Sequence, residues 1–475
     1  MKIPKLFAAG IAAVAAVALA GCATYKPQPI DPAATRGGFE ARSLADAGLR
    51  DFLAQHGHPL SGESGAGEWD LEQLTLAAFY FSPSLDAARA DLAVARAGTQ
   101  TARAWQNPSF AFTPGYNVDA AAGITPWILG YALNLPLEIG QRKPRIAAAA
   151  HRVESGRLAL ASVAWSVRGS LRHALVELRA AQNAAAAWSA QKTSLAGAGE
   201  LLEQQVRAGE ISPVEAAPDR IALGRVEMDL SDNEHAARVA LLRIAQIIGV
   251  PPGALDGVRF AWGKIERADA AALATATPSA TEARLWAATN HPDLAAALSA
   301  YAETEAVLQG EIRRQYPQFS IGPGFELDQG EGKWSLALGI TLPIFDRNKG
   351  PIAAALARRD AQAARFLELQ GRVMADVDRA LLAMQAAARD VATARQIHKT
   401  AAQLTRARAA QLASGDISRV EFARAELELA DAMRVELDAT KRAALAAAAF
   451  EDAVRRPLAL PEAAWTKPPR DISKN

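Results

Sequence analysis

The chain of 475 residues has one cysteine. A lone thiol excludes an intrachain disulfide and any multi-thiolate metal site. Aromatic residues are 6% of the chain, although half of it is hydrophobic. Alanine supplies much of that half, which excludes a bulky aromatic core and suits long helices packed through small side chains. Neither sign of charge is in excess, with 52 Lys and Arg against 51 Asp and Glu. Nothing is left over to neutralise phosphates, which argues against a nucleic-acid partner. The 7 histidines and 5 methionines are scattered. His56 and His58 lie two apart but fall short of the four ligands that zinc requires, so no metal site is expected. There is no Walker loop, GxGxxG, HExxH or GxSxG. Asp376 and Asp378, two apart, sit on different faces of a helix and do not form a catalytic pair. Neither enzyme activity nor a cofactor is expected. Past the first 20 residues no segment reaches 18 uncharged apolar residues, so no helix is expected to span a bilayer.

What is present begins with a targeting segment. Lys2 and Lys5 precede the apolar run from Phe7 to Ala20. That run is shorter than the roughly 20 residues of a membrane helix and fits a secretory signal. It ends in Leu19-Ala20-Gly21-Cys22, which resembles the bacterial lipobox. The resemblance implies cleavage after residue 21 and acylation of Cys22. Ala23 in place of Asp implies sorting to the outer membrane. The alternative is an ordinary signal peptide followed by a chance cysteine.

At about 150 residues per domain the length suggests three domains, but the chain reads as a tandem repeat. Pro83 matches Pro292, Asn107-Pro108 matches Tyr316-Pro317, and Pro114-Gly115 matches Pro323-Gly324, each 209 residues apart. Trp127 matches Trp334, Leu135-Pro136-Leu137 matches Leu342-Pro343-Ile344, and Pro144 matches Pro351, at 207. Gly209-Glu210-Ile211-Ser212 matches Gly415-Asp416-Ile417-Ser418 at 206. A period this long is no solenoid; it is two copies of one unit. The expected divisions are a signal peptide at 1–21, an extended acylated segment at 22–69, a first copy at 70–249, a linker at 250–280, a second copy at 281–456 and a tail at 457–475.

Each copy reads as helix, strand, strand, long helix, turn, helix. The first helices are expected over 71–105 and 281–315, stopped by Asn107-Pro108 and Tyr316-Pro317 because the residue before proline leaves the α region. Residues 109–116, 127–135, 318–327 and 334–342 alternate with period two. Trp334, Leu336, Leu338, Ile340 and Leu342 take one face, and Ser335, Ala337, Gly339 and Thr341 the other. This is the pattern of a membrane β-barrel strand, lipid outside and water inside; a hairpin packed on a soluble core alternates in the same way. The secretory signal favours the membrane. Four strands cannot close a barrel, and an open edge in lipid leaves backbone groups unpaired. The chain must therefore oligomerise. A trimer with twelve strands leaves a lumen, whereas a dimer with eight fills with side chains. Residues 144–207 and 351–412 read as helices of about 90 to 95 Å, too long for a bilayer and so projecting into water. Both end at glycine, Gly209 and Gly415. Ser212-Pro213-Val214-Glu215 and Ser418-Arg419-Val420-Glu421 then read as capping boxes that start return helices over 213–249 and 419–455.

The duplication, the strand-to-helix junctions and the two glycine-serine turns resemble the TolC-like outer-membrane efflux family, over roughly residues 70–456. The resemblance implies a mainly α fold with a small β part. Long helices form an α-barrel, and four transmembrane strands per chain close a twelve-stranded barrel in a homotrimer. It implies a passive exit duct in the outer membrane, docked to a periplasmic adaptor (membrane fusion protein) and an inner-membrane pump of the resistance-nodulation-division type. The junctions Leu135-Pro136-Leu137-Glu138-Ile139-Gly140-Gln141-Arg142-Lys143-Pro144-Arg145-Ile146 and Leu342-Pro343-Ile344-Phe345-Asp346-Arg347-Asn348-Lys349-Gly350 are similar to those of the heavy-metal branch, which implies metal cations as substrate. Drugs or small organic molecules are the competing cargo. A lipid-anchored periplasmic scaffold or adaptor without a channel is the competing class. The resemblance places the adaptor-docking tips at Arg207, Gly209, Ser212, Gly415 and Ser418, and a periplasmic constriction at Glu421, with Glu215 in the first copy. The family pattern is often acidic three residues beyond Glu421, where this chain has Arg424. Both glutamates also complete capping boxes, and the two roles are compatible.

Overall fold

The computed structural model of the chain describes residues 24–60, 67–263 and 278–457. Cys22 and the expected signal peptide lie outside the described residues, as does nearly all of the expected tail. The segment expected to be extended over 22–69 instead holds two short helices, α1 (Pro32–Glu40) and α2 (Ala47–Gln55), N-capped by Asp31 and Asp46, before a two-residue strand β1 (Glu68–Trp69). The first copy follows as α3 (Leu71–Phe81), α4 (Pro83–Arg103), β2 (Ser109–Tyr116), β3 (Trp127–Leu137), α5 (Arg142–Ala208) and α6 (Ala217–Ile248). After a 3-10 turn at Pro252–Leu255 and the short strand β4 (Arg259–Phe260), the second copy repeats the order. It comprises α7 (Ala280–Asn290), α8 (Pro292–Arg313), β5 (Gln318–Asp328), β6 (Glu331–Thr341), α9 (Lys349–Ser414) and α10 (Arg419–Val454).

The single first helices expected over 71–105 and 281–315 are each two helices. The breaks fall at Ser82-Pro83 and His291-Pro292, where Ser82 (ψ 120°) and His291 (ψ 110°) are extended. A proline ring pushes the preceding residue out of the α region and removes an N–H from the ladder. Both short leading helices start at a full capping box, Asp70 with Gln73 and Ser279 with Glu282.

The long helices α5 and α9 run 67 and 66 residues, about 100 Å each at 1.5 Å per residue. α5 pairs with α6, and α9 with α10. Two apolar cores sit midway along them. The larger joins Trp69, Leu74, Leu171, Leu175, Ile244 and Ile248 beneath α2 and α3. The smaller joins Ala283, Ala287, Val377, Leu381, Phe450 and Val454. β1 and β4 pair in parallel, Trp69 opposite Phe260, and tie the segment between the copies to the start of the first. The copies also meet through charge. Glu451 of α10 is buried, accepts from Arg168 of α5 (2.9 Å) and is ion-paired with Arg172 of the same helix as Arg168. An ion held this way is costly to strip of its partner, at about 3–5 kcal/mol. Asp376 and Asp378 serve separate structural pairs, with Arg379 and Arg284 respectively.

Candidate functional site

The strands form one antiparallel sheet in the order β2-β3-β5-β6. Because side chains alternate with period two, the register decides which residues share a face. Phe325 faces Trp334, Ile321 faces Leu338 and Phe319 faces Ile340, while Ser320 faces Gly339, Gly324 faces Ser335 and Glu326 faces Lys333. Across β3 the same division holds, with Tyr131 opposite Phe325 and Phe112, and Leu135 opposite Ile321. One face is therefore aromatic and aliphatic, the other small or polar. The apolar side chains are not covered: Trp334, Leu336 and Leu338 stand 75%, 65% and 72% exposed. Aromatic pairs lie along this face, Tyr116 with Trp127 and Phe325 with Trp334, at 5.2 and 4.9 Å between centroids. At Gly322 the neighbouring strand passes so close that a Cβ would strike the Leu133 carbonyl. β2 and β6 are the edges, each paired on one side only.

The far ends of the hairpins differ. Gln329 and Gly330 turn β5 into β6 with both φ positive, as a two-residue hairpin requires. At the base the strands run into the long helices. Arg145 donates to both carboxylate oxygens of Glu138 (2.7 and 2.9 Å) and to the carbonyls of Ala102 (3.0 Å) and Ala104 (2.8 Å). It thereby fastens the C-terminus of α4 to the start of α5. The hydrogen bond from Arg145 holds the Glu138 carboxyl below the usual glutamate range, against the opposing effect of its burial. In the second copy the Asn348 amide does this work, donating to the carbonyl (2.8 Å) and carboxylate (2.9 Å) of Glu311.

At the other end of the long helices lie the two turns. Gly209 (φ 75°) and Gly415 (φ 80°) are left-handed. Glu210 N–H donates to the Gln205 carbonyl and Gly209 N–H to Val206; Asp416 and Gly415 repeat this to Gln411 and Leu412. Both helices thus end in a Schellman motif, for which glycine is the favoured residue. Ser212 and Glu215 bond reciprocally (3.0 and 3.2 Å), as do Ser418 and Glu421 (2.9 and 3.3 Å). The Ser418 box opens α10 directly. The Ser212 box does not open α6, which begins at Ala217 and not at the expected residue 213. The Glu421 carboxyl is held below the usual glutamate range by the Ser418 backbone and side-chain hydrogen bonds, with Arg408 and Arg424 adding to the effect. Arg207 is exposed in the last turn of α5. Each predicted tip residue therefore stands at a turn, grouped as Arg207, Gly209, Ser212 and Glu215 in one copy and Gly415, Ser418 and Glu421 in the other.

Elsewhere, His56 turns its Nδ1 to the Phe52 carbonyl at 2.8 Å. Among the described residues no group of three or more His, Cys, Asp or Glu is placed to hold a metal, and no helix is long and apolar enough to cross a membrane. Among the described residues the sheet carries an exposed apolar face. Sequence reasoning missed Asn348 and Arg145 as junction fasteners. Both stand in the junction sequences among other polar and basic residues, and which of these reaches back to the preceding helix is decided by the fold.

The sequence of the chain matches a known family model, the outer membrane efflux protein, over residues 78–250 and 286–454. The chain belongs to the outer membrane efflux protein family. The two matched stretches are the two copies, and the family is one of channels, not enzymes. The efflux channels are located in the outer membrane and work in tripartite pumps. A curated relative, the cobalt-zinc-cadmium resistance protein CzcC of Cupriavidus metallidurans, is 26% identical over 238 residues. That match spans 48% of this chain and 53% of the relative, about half the length of each. The fold is shared with the outer-membrane channel OprN, at a TM-score of 0.66 and 16% identity, covering 92% of this chain and 100% of that one. The outer membrane protein VceC of Vibrio cholerae gives 0.66 and 17%, covering 82% and 96%.

Proposed function

We propose that three copies of this chain close their four-stranded sheets into one twelve-stranded barrel, which continues into a tunnel of long helices. In this reading the assembly is the exit duct of a tripartite efflux system. The sheet carries the argument. Its apolar face is exposed, its opposite face is small and polar, and β2 and β6 are each open on one side. Open edges in hydrocarbon cost several kcal/mol per unpaired group, and pairing β6 of one copy with β2 of the next removes them. Twelve strands leave an aqueous lumen. A heat-modifiable trimer on a gel, together with ion conductance in a planar bilayer, is the expected result; a monomer that stays in the aqueous phase would refute the reading.

The turns at Gly209 and Gly415, with Arg207, Ser212 and Ser418, form the surface that meets a periplasmic adaptor. The adaptor joins the duct to an inner-membrane pump of the resistance-nodulation-division type. Glu421, and Glu215 in the other copy, line the closed periplasmic end. Heavy-metal cations are the cargo. The partial match to a cobalt-zinc-cadmium resistance protein supports this, as do the junction sequences around Glu138 and Asp346. Cells lacking the chain should lose tolerance to cobalt, zinc or cadmium and keep tolerance to organic dyes; the opposite pattern would assign organic cargo. Cys22 carries the acyl anchor. Cys22→Ala should take up no radioactive palmitate yet stay with the membrane through the barrel, and persistent label would show another acylation site.

A further inference from the structure

The two ends of the sheet differ in charge. Around the hairpin ends, residues 117–126 and 326–333 hold four acidic side chains and one lysine, and that lysine, Lys333, is bound to Asp328 at 2.6 Å. At the base, where strands meet helices, residues 103–108, 138–145, 311–317 and 342–349 hold eight lysines and arginines against three acids. For a chain whose total charge is +1, this is a strong local excess. Glu138 and Glu311 are taken by Arg145 and Arg314, and Asp346 accepts from the Asn348 backbone. Arg103, Lys143, Arg313, Arg347 and Lys349 are exposed, and no acidic side chain among the described residues pairs with them. Between them stand exposed aromatic side chains, Trp105 (66%, with the Arg142 guanidinium over its ring at 4.5 Å), Tyr316 (56%) and Phe345 (99%). Aromatic rings with free cations, continuous with an apolar sheet, are the composition of a membrane–water boundary.

We propose that this belt binds anionic phospholipid headgroups in the leaflet on the helical side of the membrane. The inference rests on the reading of the sheet as membrane-spanning. Exposed cations near an anionic surface attract it, and the attraction decays within a Debye length, about 8 Å at physiological salt. The rings sit at headgroup depth and hold the cations there. The acidic end repels the same lipids, so the preference belongs to one leaflet.

The test uses the full chain reconstituted in phosphatidylethanolamine vesicles with a trace of spin-labelled lipid. The fraction of label immobilised at the protein surface is read for phosphatidylglycerol and for phosphatidylethanolamine. The expected preference for phosphatidylglycerol is about threefold or more at low salt and shrinks as salt rises. Changing Arg103, Lys143, Arg313, Arg347 and Lys349 to Gln together should abolish it. The pairs Arg103→Gln/Lys143→Gln and Arg347→Gln/Lys349→Gln should each remove part, should the fivefold variant fail to fold. Lys333→Gln at the other end should leave it intact. A conducting wild-type protein without the preference overturns the belt and means that a neighbouring copy covers these cations. A preference that survives all the Gln variants also overturns it. No conductance in any lipid would instead sink the channel reading beneath it.

Discussion

At the tip of the first copy the return helix begins at Ala217, five residues past Ser212, whereas in the second it begins at Arg419, directly after Ser418. Both turns carry the same glycine, serine and glutamate, and both capping boxes close. The difference is Pro218, where the second copy has Arg424. A helix started at residue 213 would put Pro218 in its interior, without an N–H for the Val214 carbonyl and with its ring against it. Started at Ala217, it holds Pro218 in the first turn, where the N–H has no partner in any case. A capping box closes a turn, but the residues after it decide whether helix follows. The bases of the two copies make the same point. Arg145 ties one junction through a carboxylate and two carbonyls, Asn348 ties the other through Glu311, and the strands leave the helices at equivalent places. Duplication preserved the path of the chain and not its fastenings.

Substitutions in the sheet test most severely whether the copies are equivalent. Leu135 in the first and Leu338 in the second flank Ile321 on the apolar face. Arg at either should block insertion, at about 2–4 kcal/mol for a midplane site, read as loss of the heat-modifiable trimer. Gly339→Trp, on the polar face beside Ser320, should insert and lower conductance. A Leu338→Arg protein that conducts like the parent would place the register off by one residue.

At the tips the expected effects are functional. Gly415→Val forces a β-branched residue to φ 80° and should abolish efflux while the trimer still assembles, since the sheet lies a long helix away. Gly209→Val should be milder, because the extra turn before α6 can absorb the change. Equal loss in both would erase that distinction, and normal efflux by Gly415→Val would remove the turn from the docking surface.

Glu421→Ala should raise conductance and lower cation preference in a planar bilayer. The lowered pKa of Glu421 gives the sign with pH. The charge, and any selectivity it carries, should persist below the ordinary glutamate range and vanish only as pH falls through the lowered value. Unchanged selectivity would leave the residue its capping role alone. The smallest effect belongs to Pro218→Ala. It should let α6 extend back toward Pro213, seen as slowed amide exchange at residues 216, 217 and 219, whose N–H groups would gain acceptors one turn earlier. Unchanged exchange there would mean that something other than the proline stops the helix.

Much of this was legible in order along the chain. The strands at 109–116, 127–137, 318–328 and 331–341 follow the alternation of Phe, Trp and Leu with Gly and Ser, because period two is a property of the extended backbone itself. The long helices follow from an absence of proline after Pro144 and Pro351, and their ends from Gly209 and Gly415. The breaks at Pro83, Pro292 and Pro218 were equally written in the sequence and needed only the steric rule applied at each proline. The parallel pair of Trp69 with Phe260, the burial of Glu451 against Arg168 and Arg172, and the gathering of cations at the sheet base were not. They join residues that lie from dozens to hundreds of positions apart. Local pattern is set by backbone geometry within a few residues, and the sequence states it directly. Which distant charges meet, and on which end of the sheet they gather, depends on how two copies pack, and only the folded chain decides that.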